Sequence, residues 1–584
     1  MQPFAQVYVL YNTKPDPMAS LTEITGVLGR KRAAHLLRRS TFGPTIPQID
    51  QFAALTAPQA MTLLLDDSAA DPLPPIDPLI GSTWVDPSSP STARAGEGNS
   101  EQDELFGYFQ AWHMDVMRQA PPTLKERITW FLHTHLPARW TEINQSEAIY
   151  YQNCLYRHYA YGSFKELFKK VCVDNAMLRY LDGYSNKKNS PNENFAREMF
   201  ELYSIGKGPQ IAEGDYTNYT EDDVKAATRV LTGWELDENY SFLDPDTDLP
   251  AGKMQSHLAG DMTTELATEH DPENKTFTDK FGATVISSAT VVEGFSTVEA
   301  AYGELDEMIE MIFAQQETGR FIARKLYRYF VYHFITEEAE TDIIEPLAQI
   351  LMDNEFSIQA VLDVLLKSEH FYDLDDALVE NDNVGALIKS PVDLFTGLFR
   401  AFELQFPDRA TETATFYGDM AYVVSKLVDQ GLNFYEPFEV AGYPAYHQIP
   451  GFNRNWITTY ALAHRYQAGG ILMKTLEQSS DRSFRLDIVD WVENGNHGID
   501  PRDTSALMDM FVEMLFAVEL SLERYDYFLY TVFLDYTGTD LTYARGLWTQ
   551  EWDSYLSSDD ETVVRNLLEL LLSSLIETPE FQLY

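Results

Sequence analysis

The chain has 584 residues, 45% of them hydrophobic and 13% aromatic, which excludes a disordered protein and exceeds what one hydrophobic core usually spans. Lys and Arg number 43 against 90 Asp and Glu, a net charge of −47 that repels nucleic acid and anionic membrane outside local patches, so no polynucleotide partner is expected. Only two cysteines are present, Cys154 and Cys172, which excludes a disulfide framework and a Cys-rich zinc site.

In chain order, the first twenty residues carry a short apolar stretch, Val7 to Leu10, with no basic residues before it, which makes a poor signal peptide. An N-terminal helical arm is expected over residues 1–81. A flexible linker or excursion rich in Ser, Pro, Gly and Ala follows over 82–102. A main helical lobe is expected over 103–395 and a C-terminal helical lobe over 396–584. Thr123-Leu124-Lys125-Glu126 reads as a helix start that Pro137 ends. Ser190-Pro191-Asn192-Glu193 supplies an N-cap, a first-turn proline and a reciprocal glutamate for a helix reaching about Gly206. Thr220-Glu221-Asp222-Asp223 repeats the device for a helix that should stop near Gly233. Residues 237–288 mix Pro, Gly, Asp and Thr over a length too great for an ordinary connection, so functional side chains are sought in this long irregular loop. An apolar helix over 358–368 has a weak echo at 564–572, which suggests two related lobes. The most apolar region, Ala506 to Tyr536, is interrupted by Asp509, Glu513, Glu519, Glu523, Arg524 and Asp526, so no transmembrane insertion is expected. Helical period prevails, and the expected fold class is all-α: a large multi-helix assembly of two packed lobes with long irregular loops.

Nine segments, taken together, carry a resemblance: Ala33–Gly43, Trp130–His135, Asn192–Leu202, Tyr219–Val224, Leu231–Trp234, Arg320–Leu326, Ile388–Val392, Val440–Pro444 and Asn455–Ile457. Through them nearly the whole chain resembles the bacterial DUF1800 family, for which no activity is established. The resemblance implies a mostly helical protein exported to the periplasm, the cell surface or beyond. Such proteins are often encoded beside an alkaline-phosphatase-like protein of the DUF1501 group, which makes that type a candidate partner. The chain departs from the pattern in lacking a clear signal peptide, in Glu273 where a His-Asp-Pro-Gly-x-Lys element has glycine, and in Tyr443 where an Ala-Gly-Trp-Pro element has tryptophan.

Three polar constellations could carry chemistry. Asn194, Glu198 and Glu201 project from one helical surface, where two carboxylates and an amide could hold a divalent cation or position a water, with Glu198 as the base. The bland reading makes Arg197 and Glu201 an i,i+4 ion pair and Glu198 a solvated residue. His133 and His135 are candidate metal ligands, but residues two apart on a helix point about 200° apart, so sharing an ion requires the turn before Pro137 to unwind. His270, Asp271 and Lys275 lie in the long loop as candidates for proton transfer or anion binding, with a plain turn as the alternative. Trp234 and Arg197 read as structural-polar residues.

Weaker signals remain. Asp244-Pro245-Asp246-Thr247-Asp248 opens like a calcium loop, but Leu249 stands where glycine is required and Gln255 where a bidentate glutamate belongs. Arg30, Lys31, Arg32, Arg38 and Arg39 could hold an anion or answer the chain's own carboxylates. Tyr150, Tyr151, Tyr156, Tyr159 and Tyr161 read as packing rather than a carbohydrate platform. The signatures of P-loop hydrolases, zincins and serine esterases are missing. Two readings stand: an exported envelope module that binds or assembles with another macromolecule, and a metal-assisted hydrolase or transferase using Ca2+ or a transition metal. They are separated by whether the three constellations converge.

Overall fold

A computed structural model describes residues 19–85, 98–375, 383–473, 482–495, 497–538 and 540–584. Helices dominate it. The Thr220 device forms as expected: the Thr220 hydroxyl accepts from the Asp223 N–H at 3.3 Å, and the Asp223 carboxylate accepts from the Thr220 N–H at 2.8 Å. The helix it opens, Glu221–Val230, buries Val224, Ala227 and Val230. The Lys125–His135 helix likewise ends at Leu136, before Pro137, and almost every one of its side chains is buried. It packs on the Ser146–His158 helix, where Glu126 and Arg157 make a buried ion pair at 2.6 Å.

The all-α expectation needs a correction between Gln210 and Ser296. Five antiparallel two-stranded sheets lie there, and four of them are built from the stretch Trp234–Ser296. Their strands are only two or three residues long, too short for a period-2 signal to stand out in sequence. The Val291–Val292 and Phe295–Ser296 pair turns through Glu293 at φ 55° and Gly294 at φ 83°, the twin positive angles of a two-residue hairpin loop. Lys170 holds this region to the helical body by pairing with Asp244 at 2.7 Å and Asp246 at 2.5 Å. A lysine ammonium therefore stands where the calcium reading would put the ion.

The expected domain edges meet two helices. Gly98–Gln119 begins inside the expected excursion, whose residues 86–97 lie outside the described residues, as does the stretch Val7 to Leu10. Pro391–Ala401 runs through the expected edge at 395. The buried core is a single cluster reaching from Ile24 to Phe581. The C-terminus closes it: the Tyr584 N–H donates to the Leu387 carbonyl at 2.9 Å, and Lys389 Nζ donates to the Phe581 carbonyl at 2.6 Å. Among the described residues, no helix is long and apolar enough to cross a membrane.

One amphipathic helix matters most for the site. Gln316–Phe330 buries Ile322, Ala323, Leu326, Tyr327 and Phe330 against the Glu345–Asp353 helix. Its opposite side carries Arg320, Arg324 and Arg328 at four-residue spacing, with Lys325 beside them. Arg320 pairs with Glu345 at 2.7 Å, and Arg324 pairs with Glu317 at 2.6 Å and Glu340 at 2.5 Å. The stripe's carboxylates are then used up, and Lys325 and Arg328 have no ion-pair partner among the described residues.

Candidate functional site

The three constellations read from sequence occupy three separate places. The first is changed locally. Ser190 does not cap a helix; the α-helical turn starts at Asn194, and the Asn192 side chain accepts from the Asn194 N–H at 3.0 Å. From Met199 to Ser204 the helix widens into a π turn, in which the Ser204 hydroxyl donates to the Met199 carbonyl at 2.7 Å. The Arg197–Glu201 ion pair is replaced by others. Arg197 makes a two-pronged pair with Glu221 at 2.6 and 2.7 Å and a third bond to Glu193 at 3.1 Å, while Glu201 pairs with Lys207 at 2.8 Å. Glu198 is half-buried and takes no such partner. Burial first, and the neighbouring Glu201 charge second, push its carboxyl up to about 7. Asn194 is exposed, and its side chain reaches the Leu181 carbonyl at 3.4 Å.

The second pair faces two ways, as helical geometry requires. His133 is fully buried among aromatics, its ring 3.9 Å from that of Tyr435 and its Nε2 3.4 Å from the Tyr443 hydroxyl. His135 donates from Nε2 to the Tyr203 carbonyl at 3.1 Å, which leaves Nδ1 as a bare acceptor with no partner. Burial lowers both imidazoles to about 3, and the Lys325 charge adds to the effect on His135. Among the described residues, no three His, Cys, Asp or Glu side chains are grouped so as to hold a metal ion. The joint ligand set His133, His135, Asn194, Glu198 and Glu201 therefore does not assemble, because the two histidines diverge and Lys207 occupies Glu201.

The third constellation is a buried polar knot. His270 and Lys275 are fully buried, and Glu304, contributed by the Val298–Phe313 helix, is 1% exposed. His270 donates from Nδ1 to the Thr232 carbonyl at 2.9 Å, and its Nε2 lies 3.2 Å from Glu304. Lys275 donates to Glu304 and to the Asp271 carbonyl. Burial raises the Glu304 carboxyl, but His270 and Lys275 together hold it below its ordinary value; burial lowers the Lys275 ammonium. Asp271 faces outward to Arg229 at 2.6 Å. Gly233, at φ 92°, lets the chain pass: a Cβ there would lie 2.7 Å from the His270 nitrogen. Trp234 is buried with its indole N–H unpartnered. This knot pins the hairpin region to the helical body, and its three central side chains are shut off from solvent.

An opening does exist elsewhere, and of the sequence candidates it includes only His135. Its walls are Phe131, Thr134 and His135 from the Lys125–His135 helix, Lys325, Arg328 and Tyr329 from Gln316–Phe330, then His333, Leu387, Ile388 and Ser390. Ala445, Tyr446, His447, Phe452, Asn453 and Trp456 close it, with Tyr584 at the C-terminus, around a cavity of about 40 Å3. Gly442, at φ 100°, packs the last segment down, since a Cβ there would lie 3.1 Å from the Thr134 carbonyl. Lining residues fall in four of the segments that carried the family resemblance: Trp130–His135, Arg320–Leu326, Ile388–Val392 and Asn455–Ile457.

Thr134, Ser390 and Tyr584 of the polar lining have hydrogen-bond partners, whereas Lys325, Arg328, His333 and Asn453 are cationic or carry unpartnered atoms. Burial, then the Arg328 charge, lowers Lys325 to about 8, while burial and Arg324 lower Arg328 to about 10. His333 is 9% exposed with Nδ1 unpartnered, and Asn453 is 8% exposed with both amide atoms unpartnered. His447 stands 3.3 Å from Glu439 at the edge. Three nearby buried cations are held by carbonyls, Arg39 by Val331 at 3.0 Å, Arg465 by Lys389 at 2.8 Å, and Lys389 by Phe581, while Arg127 pairs with the Asp393 carboxylate. Carboxylates stand at the margin of the opening, where Asp393 pairs with Arg127 and accepts from the Tyr584 hydroxyl at 3.2 Å and Glu439 faces His447, but neither pairs with Lys325 or Arg328. Leaving buried donors and charges unanswered costs about 1–3 kcal/mol each, so a group that answers them binds favourably.

Sequence reasoning missed Lys325, Arg328, His333, His447 and Asn453. A signal existed for the first two: in a chain with twice as many acids as bases, neither has an Asp or Glu three or four residues away on its helix. No curated protein and no solved structure matches the chain. The family model described as a protein of unknown function (DUF1800) matches residues 35–583, so the chain belongs to the DUF1800 family.

Proposed function

We propose that this protein is a binding module of the cell envelope whose recognition element is the Lys325–Arg328 pocket, and that its ligand presents a carboxylate or phosphate group. One observation carries the reading: two cations one helical turn apart line an opening without a carboxylate partner among the described residues, on a helix whose other arginines, Arg320 and Arg324, are both paired. Arg328 offers a planar donor fork, Asn453 a free amide and Lys325 a charge, which together match the oxygens of such an anion. The hydrolase reading is weaker, because Glu198, His133 and the His270 knot do not share a site. Titration calorimetry with lactate and with orthophosphate tests the proposal. At least one should bind, and Arg328→Met should weaken it roughly tenfold to a hundredfold, the worth of a hydrogen-bonded charge at about 1.5–3 kcal/mol. Absence of binding by both, or equal binding by the variant, would overturn the reading.

A further inference from the structure

Lys325 and Arg328 do different work in this opening. A pocket that needed only positive charge would be served by two arginines, or by a lysine kept fully protonated by a carboxylate. Lys325 instead sits among aromatic walls, its ammonium 5.3 Å from the Phe321 ring centre, with a guanidinium one turn further on and no carboxylate partner. Desolvation beside a second cation is the arrangement that turns a lysine from a charge into a nucleophile. His135 lines the same opening with a bare Nδ1, its proton being fixed on Nε2 by the Tyr203 carbonyl, so it adds a hydrogen-bond acceptor and no positive charge to the walls.

We propose that Lys325 captures an oxo acid as an imine, a step that rests on the anion-binding reading of the pocket. Arg328 holds the carboxylate, and Asn453 is available to the carbonyl oxygen. The Lys325 Nζ lone pair bonds to the carbonyl carbon as the C=O π pair moves to oxygen, and a proton passes from nitrogen to that oxygen. Loss of that hydroxyl together with the remaining N–H proton as water leaves the C=N bond, and the step consumes no oxidant or reductant. The amine is supplied by the lowered Lys325, of which roughly a tenth is free base at neutral pH, against about one in 2,500 for an ordinary lysine.

The test is reductive trapping on the full chain: pyruvate and cyanoborohydride at neutral pH, peptide mapping by mass spectrometry, and lactate as a competitor that has the carboxylate but no carbonyl. Lys325 should be modified about tenfold faster than the other lysines. Excess lactate should suppress labelling at Lys325 alone, and Lys325→Arg should abolish that adduct. Even labelling across all lysines, or Lys325 labelling indifferent to lactate, would overturn the inference. If lactate or orthophosphate binds by calorimetry and no adduct forms at Lys325, the imine fails while the anion pocket stands; if neither anion binds and lactate does not protect, both fail. The competition in the unmutated protein decides the matter even if Lys325→Arg does not fold.

Discussion

Removing Lys275 probes the buried knot that ties the hairpins to the helical body. In Lys275→Met the apolar stem is kept, but Glu304, 1% exposed and with Oε1 already unpartnered, loses its ammonium. Breaking one side of a buried pair costs about 3–5 kcal/mol, because the surviving charge stays desolvated. Glu304→Leu should cost a similar amount by stranding Lys275. In the double variant no charge is stranded. Only His270 Nε2 and the Asp271 carbonyl are left unanswered, so the loss should shrink to about 1–3 kcal/mol. Urea unfolding of the four proteins gives the cycle, and hydrogen exchange over residues 270–286 shows whether the loss is local. Single variants within about 1 kcal/mol of the unmutated protein, or a double variant that costs the sum of the singles, would refute the reasoning.

Acid sensitivity follows from His133 and His135. Each is held at about 3 in the folded chain, against about 6.5 when unfolded. The unfolded state binds more protons in that window, so stability present above pH 6.5 is lost as pH falls towards 3, by about 1.4 kcal/mol per unit per histidine. Between pH 7 and about 5 the unmutated protein should lose about 2 kcal/mol for each, and His133→Phe should remove one share of the pH dependence; an undiminished slope in the variant contradicts this. Glu198 runs the opposite way. Its carboxyl is raised to about 7, so its favourable contribution is complete below the ordinary glutamate range and is lost as pH rises through 7. Glu198→Gln should therefore gain stability relative to the unmutated protein as pH rises from about 5 to 8, with thermal melts as the check. A Ca2+-dependent rise in melting temperature that disappears in Glu198→Gln would instead restore the metal reading of that helix face.

Much of the helical framework was legible because its punctuation is local. Thr220 and Asp223 satisfy each other's backbone groups within one turn, and Pro137 stops a helix by its own ring, so four residues suffice to read either. Ser190 failed by the same standard: its neighbour Lys187 pairs with it in a turn, and Asn192 takes over the capping. The short hairpins were not legible, since two-residue strands carry no period and Glu293-Gly294 is a weak turn signal beside Asn-Gly. The His270 knot was found in sequence as His270, Asp271 and Lys275, but its meaning depended on Glu304, 29 residues beyond Lys275. The pocket was the least legible feature. Lys325 and Arg328 lie on one helix, yet Asn453 and Trp456 reach them from more than 100 residues away, a closure set by the packing of Gly442 on the Thr134 carbonyl.

The central claim is that the Lys325–Arg328 opening is built for an anion. The most direct measurement is anomalous diffraction from crystals of the full chain soaked in bromide or selenate. The account predicts anomalous density within hydrogen-bond reach of Lys325 and Arg328, lost in Arg328→Met. Density confined to other surfaces, with none between those two side chains, would contradict it.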